Sequence, residues 1–221
     1  MTDVAAALMI VGAVVLSVRW WGRRADGMGR PRPFPTTSVV ALVLLALVAA
    51  VPGVRRRSEE ARLSFAASVL AGLPVRVHCQ TFGQAFVDAG GELGYVKWQE
   101  DGAPERATLI KREQCGALRT YLGSAGARAD PTFDEVVAVH VLTHESMHMR
   151  GEKAEAKAEC EAVQRDAQTA QLLGATAPQG QALAVAYWRR AYPFLADDYR
   201  TGACAPGGPL DEALPSAPWS A

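Results

Sequence analysis

Two uncharged apolar runs near the N-terminus leave the chain little choice of surroundings. Residues 4–18 read VAAALMIVGAVVLSV and residues 38–54 read SVVALVLLALVAAVPGV, with no Asp, Glu, Lys or Arg in either. A helix on the surface of a soluble core carries a polar stripe, and neither run has one. Trp20-Trp21 and Arg23-Arg24 follow the first run and Arg55-Arg56-Arg57 the second, the way a span meets a membrane interface. Each run is slightly short of the ~20 residues that cross a hydrocarbon core. Trp20-Trp21 and the residues around Phe34 bring both to length. Two transmembrane helices are therefore expected, with a lipid bilayer as the first partner. Met1-Thr2-Asp3 offers no basic leader, so a cleaved signal peptide is not expected.

Arginines set the expected orientation. The linker between the runs holds Arg19, Arg23, Arg24, Arg30 and Arg32, a larger cluster than Arg55-Arg56-Arg57. Placing the linker in the cytoplasm leaves both termini outside. The cysteines point the same way. Cys79, Cys115, Cys160 and Cys204 all lie beyond the second run, and an even set spread along a domain suits two disulfides in an oxidising compartment. Of the three possible pairings, Cys79 with Cys115 and Cys160 with Cys204 would staple neighbouring elements and is favoured. No CxxC pair suggests a cysteine zinc site. Lys and Arg number 23 and so do Asp and Glu, so no basic surface invites nucleic acid. The expectation is a two-span protein of the cell membrane with an extracytoplasmic domain.

Three segments follow: an anchor over residues 1–57 with an Arg-rich cytoplasmic linker, a domain over 58–205, and an irregular Pro- and Gly-rich tail over 206–221. The domain opens with an amphipathic helix over 58–71, Ser58 as N-cap, stopped by Gly72 and Pro74. An alternating strand follows over 74–79, with His78 facing solvent. Gly90-Gly91 marks a turn. Strands over 93–98 and 106–110 form a hairpin through Glu100-Asp101-Gly102, and a helix over 111–121 comes next. Asp130 and Pro131 open a central helix as N-cap and first-turn proline, and Gly151 closes it. A polar helix from Glu152 to about Leu173 and another over 178–191 complete the domain. The fold class expected is α+β: two transmembrane helices, then a mostly helical domain with a small sheet.

The central helix carries His144-Glu145-Ser146-Met147-His148. Histidines four apart on a helix lie on one face, Cβ atoms ~5–6 Å apart, a gap that one Zn²⁺ can close. Glu145 stands where it can take a proton from activated water. Around the histidines Val141, Leu142, Ser146, Met147 and Met149 are apolar or uncharged, and Arg150 is charged. This is the HExxH arrangement, and from Asp130 to Leu173 the chain resembles the zincins, a broad group of zinc metallopeptidases.

The resemblance implies a zincin-like active-site helix, a Zn²⁺ cofactor, a sheet edge that aligns an extended peptide, and a third ligand. Metzincins take a histidine three residues past a helix-ending glycine; Gly151 matches the glycine, but Ala154 occupies the histidine position. Gluzincins draw a glutamate from a following helix, often within an ExxxD run. Glu155 and Glu159 are similar to that pair. Glu155 then joins His144 and His148 as ligand, and Glu159 is a partner of a histidine or the alternative ligand, ahead of Glu152. For the oxyanion, Tyr187, Tyr192, Tyr199 and His140 are candidates without a motif. The function implied is a membrane-anchored peptidase acting on a peptide or protein, with Glu145 as general base. The alternative is an inactive membrane-tethered module that binds zinc or a partner.

Overall fold

The structure, a computed structural model, describes residues 2–85 and 92–220. The expected turn at Gly90-Gly91 lies outside the described residues. Two compact units divide the chain, Met1–Ser58 and Glu59–Ala221.

In the first unit, α1 (Thr2–Gly22) and the start of α2 (Thr36–Ala71) are both long and apolar enough to cross a membrane. Their side chains, among them Leu8, Val11, Val14, Leu44, Leu47 and Val48, are exposed. Exposed apolar surface of this extent marks a membrane or protein interaction site. Small residues bring the helices close: a Cβ on Gly12 would lie 3.6 Å from Leu42. The linker is a structured turn. Asp26 Oδ1 accepts from the amides of Met28 and Arg30. The Trp20 indole donates to the Arg32 carbonyl and meets Phe34 edge-on, and Arg24 lies over the Trp21 ring. The second apolar run and the helix expected over 58–71 are one continuous element in α2. Pro52 sits inside it, and nothing after Arg57 breaks the helical path.

In the second unit, a three-stranded sheet lies against a cluster of helices. β1 (Arg76–Cys79) pairs parallel to β3 (Pro104–Ile110), and β3 pairs antiparallel to β2 (Gly94–Trp98), giving the order β1-β3-β2. The hairpin turns where expected, with Gly102 at φ +81° and Gln99 closing on Ala103. His78 is exposed on β1. The four-residue α3 (Phe82–Ala85) follows β1; α4 (Arg112–Gly123) and α5 (Ala125–Ala129) come after the sheet.

The central α6 (Phe133–Arg150) packs against β2, β3, α4 and three later helices, α7 (Glu155–Val163), α8 (Asp166–Leu172) and α9 (Ala177–Arg190). Its N-cap is Thr132, not Asp130. Thr132 accepts from the Glu135 amide, and the Glu135 carboxylate accepts from the Thr132 amide in return. Asp130 instead ends α5. Gly151, at φ +119°, closes α6 in the left-handed region as expected.

The polar helix expected from Glu152 to Leu173 is two helices. Residues 152–154 belong to no helix, and α7 and α8 are separated at Gln164-Arg165. The cause is tertiary. Gln164 is bound through its side chain to the Leu210 carbonyl and the Glu212 amide, and through its carbonyl to Ser216. Arg165 grips Glu212 with both terminal nitrogens at 2.6 Å. The tail is irregular yet packed: Ala217 is buried and Trp219 meets Trp188. Disulfides join Cys79 to Cys115 and Cys160 to Cys204.

Candidate metal centre

From Ala138 to Met149 every side chain of α6 is buried, and half of these residues are polar. Buried polar groups must find partners or cost stability. Ser146 and Thr143 bond back to carbonyls one turn earlier, and Thr143 also reaches Thr169. The three histidines, His140, His144 and His148, follow one another at single-turn spacing along one face. Their partners come from α7, α8 and α9.

His148 Nδ1 lies 2.7 Å from the Glu152 carbonyl. A carbonyl only accepts, so Nδ1 carries the proton and Nε2 presents a lone pair. His144 Nδ1 lies 3.0 Å from Glu159 Oε2, again an acceptor. The two Nε2 atoms meet at 2.9 Å, and Glu155 Oε2 is 3.2 Å from each. Two imidazole lone pairs and a carboxylate oxygen thus converge with no donor among them. A shared proton or a metal ion is what such a trio holds. The three side chains lie close enough together to ligate one ion.

Glu155 reaches this point because Gly151 turns the chain and residues 152–154 carry it back over the end of α6. Glu155 then opens α7. The turn is fastened by an ion pair between Lys157 and Glu152.

A second His/Glu group, His140, His144 and Glu159, overlaps the first through His144. Here the acceptors outnumber the lone-pair nitrogens. His140 Nε2 is 2.9 Å from Glu159 Oε2 and its Nδ1 is 2.9 Å from Asp166 Oδ2, so the ring donates on both sides. Glu159 Oε1 also accepts from the Tyr187 hydroxyl at 2.8 Å, and the Tyr187 ring stacks on His140 at 3.6 Å. In this network only Asp166 Oδ1 is left without a hydrogen-bond partner among the described residues, and the first group is the one whose atoms call for a cation.

The electrostatics agree. Burial alone would push the His140 imidazole down, but Asp166 and Glu159 hold it up at about 10. Burial likewise opposes the charge on His144, and Glu155 and Glu159 raise it to about 9. The His144 and His148 rings, each within 3.2 Å of its carboxylate, bring Glu155 down to about 2. The surroundings favour positive charge where the histidines meet.

Glu145 points to the other side, into the sheet. Its Oε2 accepts from the Thr108 hydroxyl at 3.2 Å, and its Oε1 rests on Gly94, where a Cβ would stand 2.8 Å away. Burial raises its pKa, opposed by the nearby His144 and His148. A cleft of about 420 Å³ opens over these groups, with Leu93 and Gly94 of the sheet edge on one side and Leu195 and Tyr199 on the other. Among the described residues, β2 pairs only with β3, so its outer edge faces no strand.

The sequence singled out His144, Glu145, His148, Glu155 and Glu159; the structure joins His144, His148, Glu155 and Glu159 through direct contacts, while Glu145, on the same helix, turns to Thr108 and Gly94. Glu152 contributes its carbonyl, while its carboxylate goes to Lys157. Of the oxyanion candidates, His140 and Tyr187 are consumed by the network, and the Tyr192 hydroxyl bonds to Thr201. Only the Tyr199 hydroxyl makes no hydrogen bond among the described residues while its ring lines the cleft, 5.9 Å from that of His144. Gly94, Thr108 and Asp166 gave no local signal. Asp166 alone could have been noticed, because it continues the spacing of Glu155 and Glu159 along one side of α7 and α8. The chain matches no family model, no curated protein and no solved structure.

Proposed function

We propose that the chain is a membrane-anchored, zinc-dependent peptidase. One observation carries this reading: His144 Nε2, His148 Nε2 and Glu155 Oε2 converge as three acceptors beside a carboxylate, Glu145, that is built into the sheet. Two imidazoles and one carboxylate form a donor set that suits zinc and leaves a position open. Bound there, zinc supplies a Lewis acid that acidifies water and polarises a carbonyl oxygen.

The chain's own residues do the rest. Glu145 takes a proton from the attacking water and delivers it to the leaving amine, and its raised pKa suits both halves of that task. Thr108 and Gly94 fix where the carboxylate stands. Tyr199, its hydroxyl held neutral up to about 12 by burial and by Glu155, donates to the developing oxyanion. An extended peptide lies along the free edge of β2 and is presented to Glu145. The spans hold the domain at the bilayer, and the disulfides favour an extracytoplasmic face, with the Arg-rich linker inside.

Glu145→Gln in the detergent-solubilised chain is the test. Hydrolysis of a denatured protein substrate should fall at least about 10²-fold, the scale of losing a general base, with zinc content unchanged. Full activity in that variant would refute the mechanism. Glu155→Ala should lower zinc stoichiometry after dialysis to well below one per chain; unchanged stoichiometry would remove Glu155 from the ligand set.

A further inference from the structure

The buried chain Asp166–His140–Glu159–His144 extends well beyond what two metal-binding histidines require. Four residues from three helices are joined end to end by three hydrogen bonds of 2.9–3.0 Å, all inside the protein. Burying two carboxylates and two histidines is costly unless their polar atoms are matched, and here all but Asp166 Oδ1 are. The matching has a direction. Glu159 Oε2 receives the His140 Nε2–H and the His144 Nδ1–H, and its Oε1 receives the Tyr187 hydroxyl. With three donors upon it, Glu159 has only acceptance to offer His144. The His144 proton is therefore pinned to Nδ1, and Nε2 is left bare toward His148 and Glu155.

We infer that His140 and Asp166 are positioning residues for the candidate metal centre: Asp166 orients His140, His140 holds Glu159 as an acceptor, and Glu159 fixes the tautomer and tilt of His144. This rests on the metal reading above and extends it by two side chains that touch neither substrate nor ion. His140 acts at one remove, with Tyr187 stacked on its ring to stop it turning.

The donor pattern supplies a discriminating pair of variants. In His140→Gln the new amide can donate to Glu159, but its oxygen then faces the Asp166 carboxylate, acceptor against acceptor. Adding Asp166→Asn gives that oxygen a donor and restores the chain of bonds. Zn²⁺ affinity is measured on the full chain in detergent by competition with a chromophoric chelator. The Co²⁺ visible spectrum and the ¹⁵N signals of the zinc-loaded histidines are recorded alongside. The wild type should bind one Zn²⁺ with the His144 proton on Nδ1. His140→Gln should weaken Zn²⁺ about 10- to 100-fold and alter the Co²⁺ spectrum. The double variant should recover affinity to within a few-fold.

Wild-type affinity in the single variant would overturn the inference and leave the metal reading standing. So would equal weakening in the single and double variants. Absence of Zn²⁺ binding by the wild type would overturn the metal reading, and this inference with it. If the single variant does not fold, the double decides by its affinity. If neither folds, the wild-type ¹⁵N spectrum decides, a proton on His144 Nε2 in the zinc-loaded chain being the overturning result.

Discussion

Gly94 shows how one missing side chain can serve a distant one. Its backbone conformation is ordinary, so its value is space: a Cβ there would stand 2.8 Å from Glu145 Oε1 and 3.0 Å from its Cγ. The neighbour that must give way is the end of a flexible side chain, so Gly94→Ala should cost little stability. It should instead move the carboxylate off its seat. A displacement approaching 1 Å at a reacting group costs up to about 10²-fold in rate. The expected outcome is a large loss of hydrolysis with zinc content and Tm nearly unchanged, measured side by side. A variant that keeps full rate would show that Glu145 does not need this seat. Legibility at this scale was uneven. The five residues of the centre lie within sixteen positions of one another, on one helix and the start of the next, and local spacing revealed them. Gly94 and Thr108 approach from two strands, β2 and β3, far away in sequence, and spacing could not reveal them.

At the level of elements, α6 is a helix whose ends are fixed so that its middle can be polar. Thr132 and Glu135 cap one end reciprocally, and Gly151 closes the other in the left-handed region. Removing an N-cap hydroxyl typically costs about 1 kcal/mol. Thr132→Ala should therefore lower Tm by roughly 2–4 °C, the shift that 1 kcal/mol produces in a domain of this size, with the candidate metal centre, about three turns further along, intact. Thermal unfolding in detergent checks this, and a drop in zinc affinity would show that the cap is coupled to the site. Besides this N-cap, expected at Asp130, two element boundaries differ from what composition suggested. The break at Gln164-Arg165 is made by the tail, through Leu210, Glu212 and Ser216. The fusion of the second span with the next helix reflects the absence of any helix breaker between Gly53 and Gly72.

For the whole molecule, the buried charges make stability depend on pH in a direction that metal should reverse. His140, held near 10 against an ordinary 6.5, binds its proton more tightly in the folded state. Its contribution is fully present below about pH 6.5 and is lost as pH rises toward 10. Glu145 and Asp166, raised by burial, act in the same sense. Glu155, lowered to about 2, contributes above its ordinary 4.5 and loses that contribution as pH falls toward 2. Metal-free protein should thus be most stable near pH 5–6.5 and lose Tm steadily on going to pH 9.5. Zinc competes with the proton that His144 holds, so the Tm gain on adding Zn²⁺ should grow with pH over that range. Melting curves with chelator and with Zn²⁺ test both slopes; a zinc effect that shrinks with pH would contradict the ligand set.

The sequence by itself determined the two apolar helices, the strand hairpin, the central helix and the cluster of His144, Glu145, His148, Glu155 and Glu159. Each of these is a matter of period or spacing within a few turns of chain, where backbone geometry alone decides which side chains are neighbours. Tertiary structure decided the rest: the parallel pairing of β1 with β3, the seat of Glu145 between Thr108 and Gly94, and the link from Asp166 through His140 to Glu159. These join residues whose distance along the chain says nothing of their distance in space, and they form only when burial forces each polar atom on α6 to find a partner.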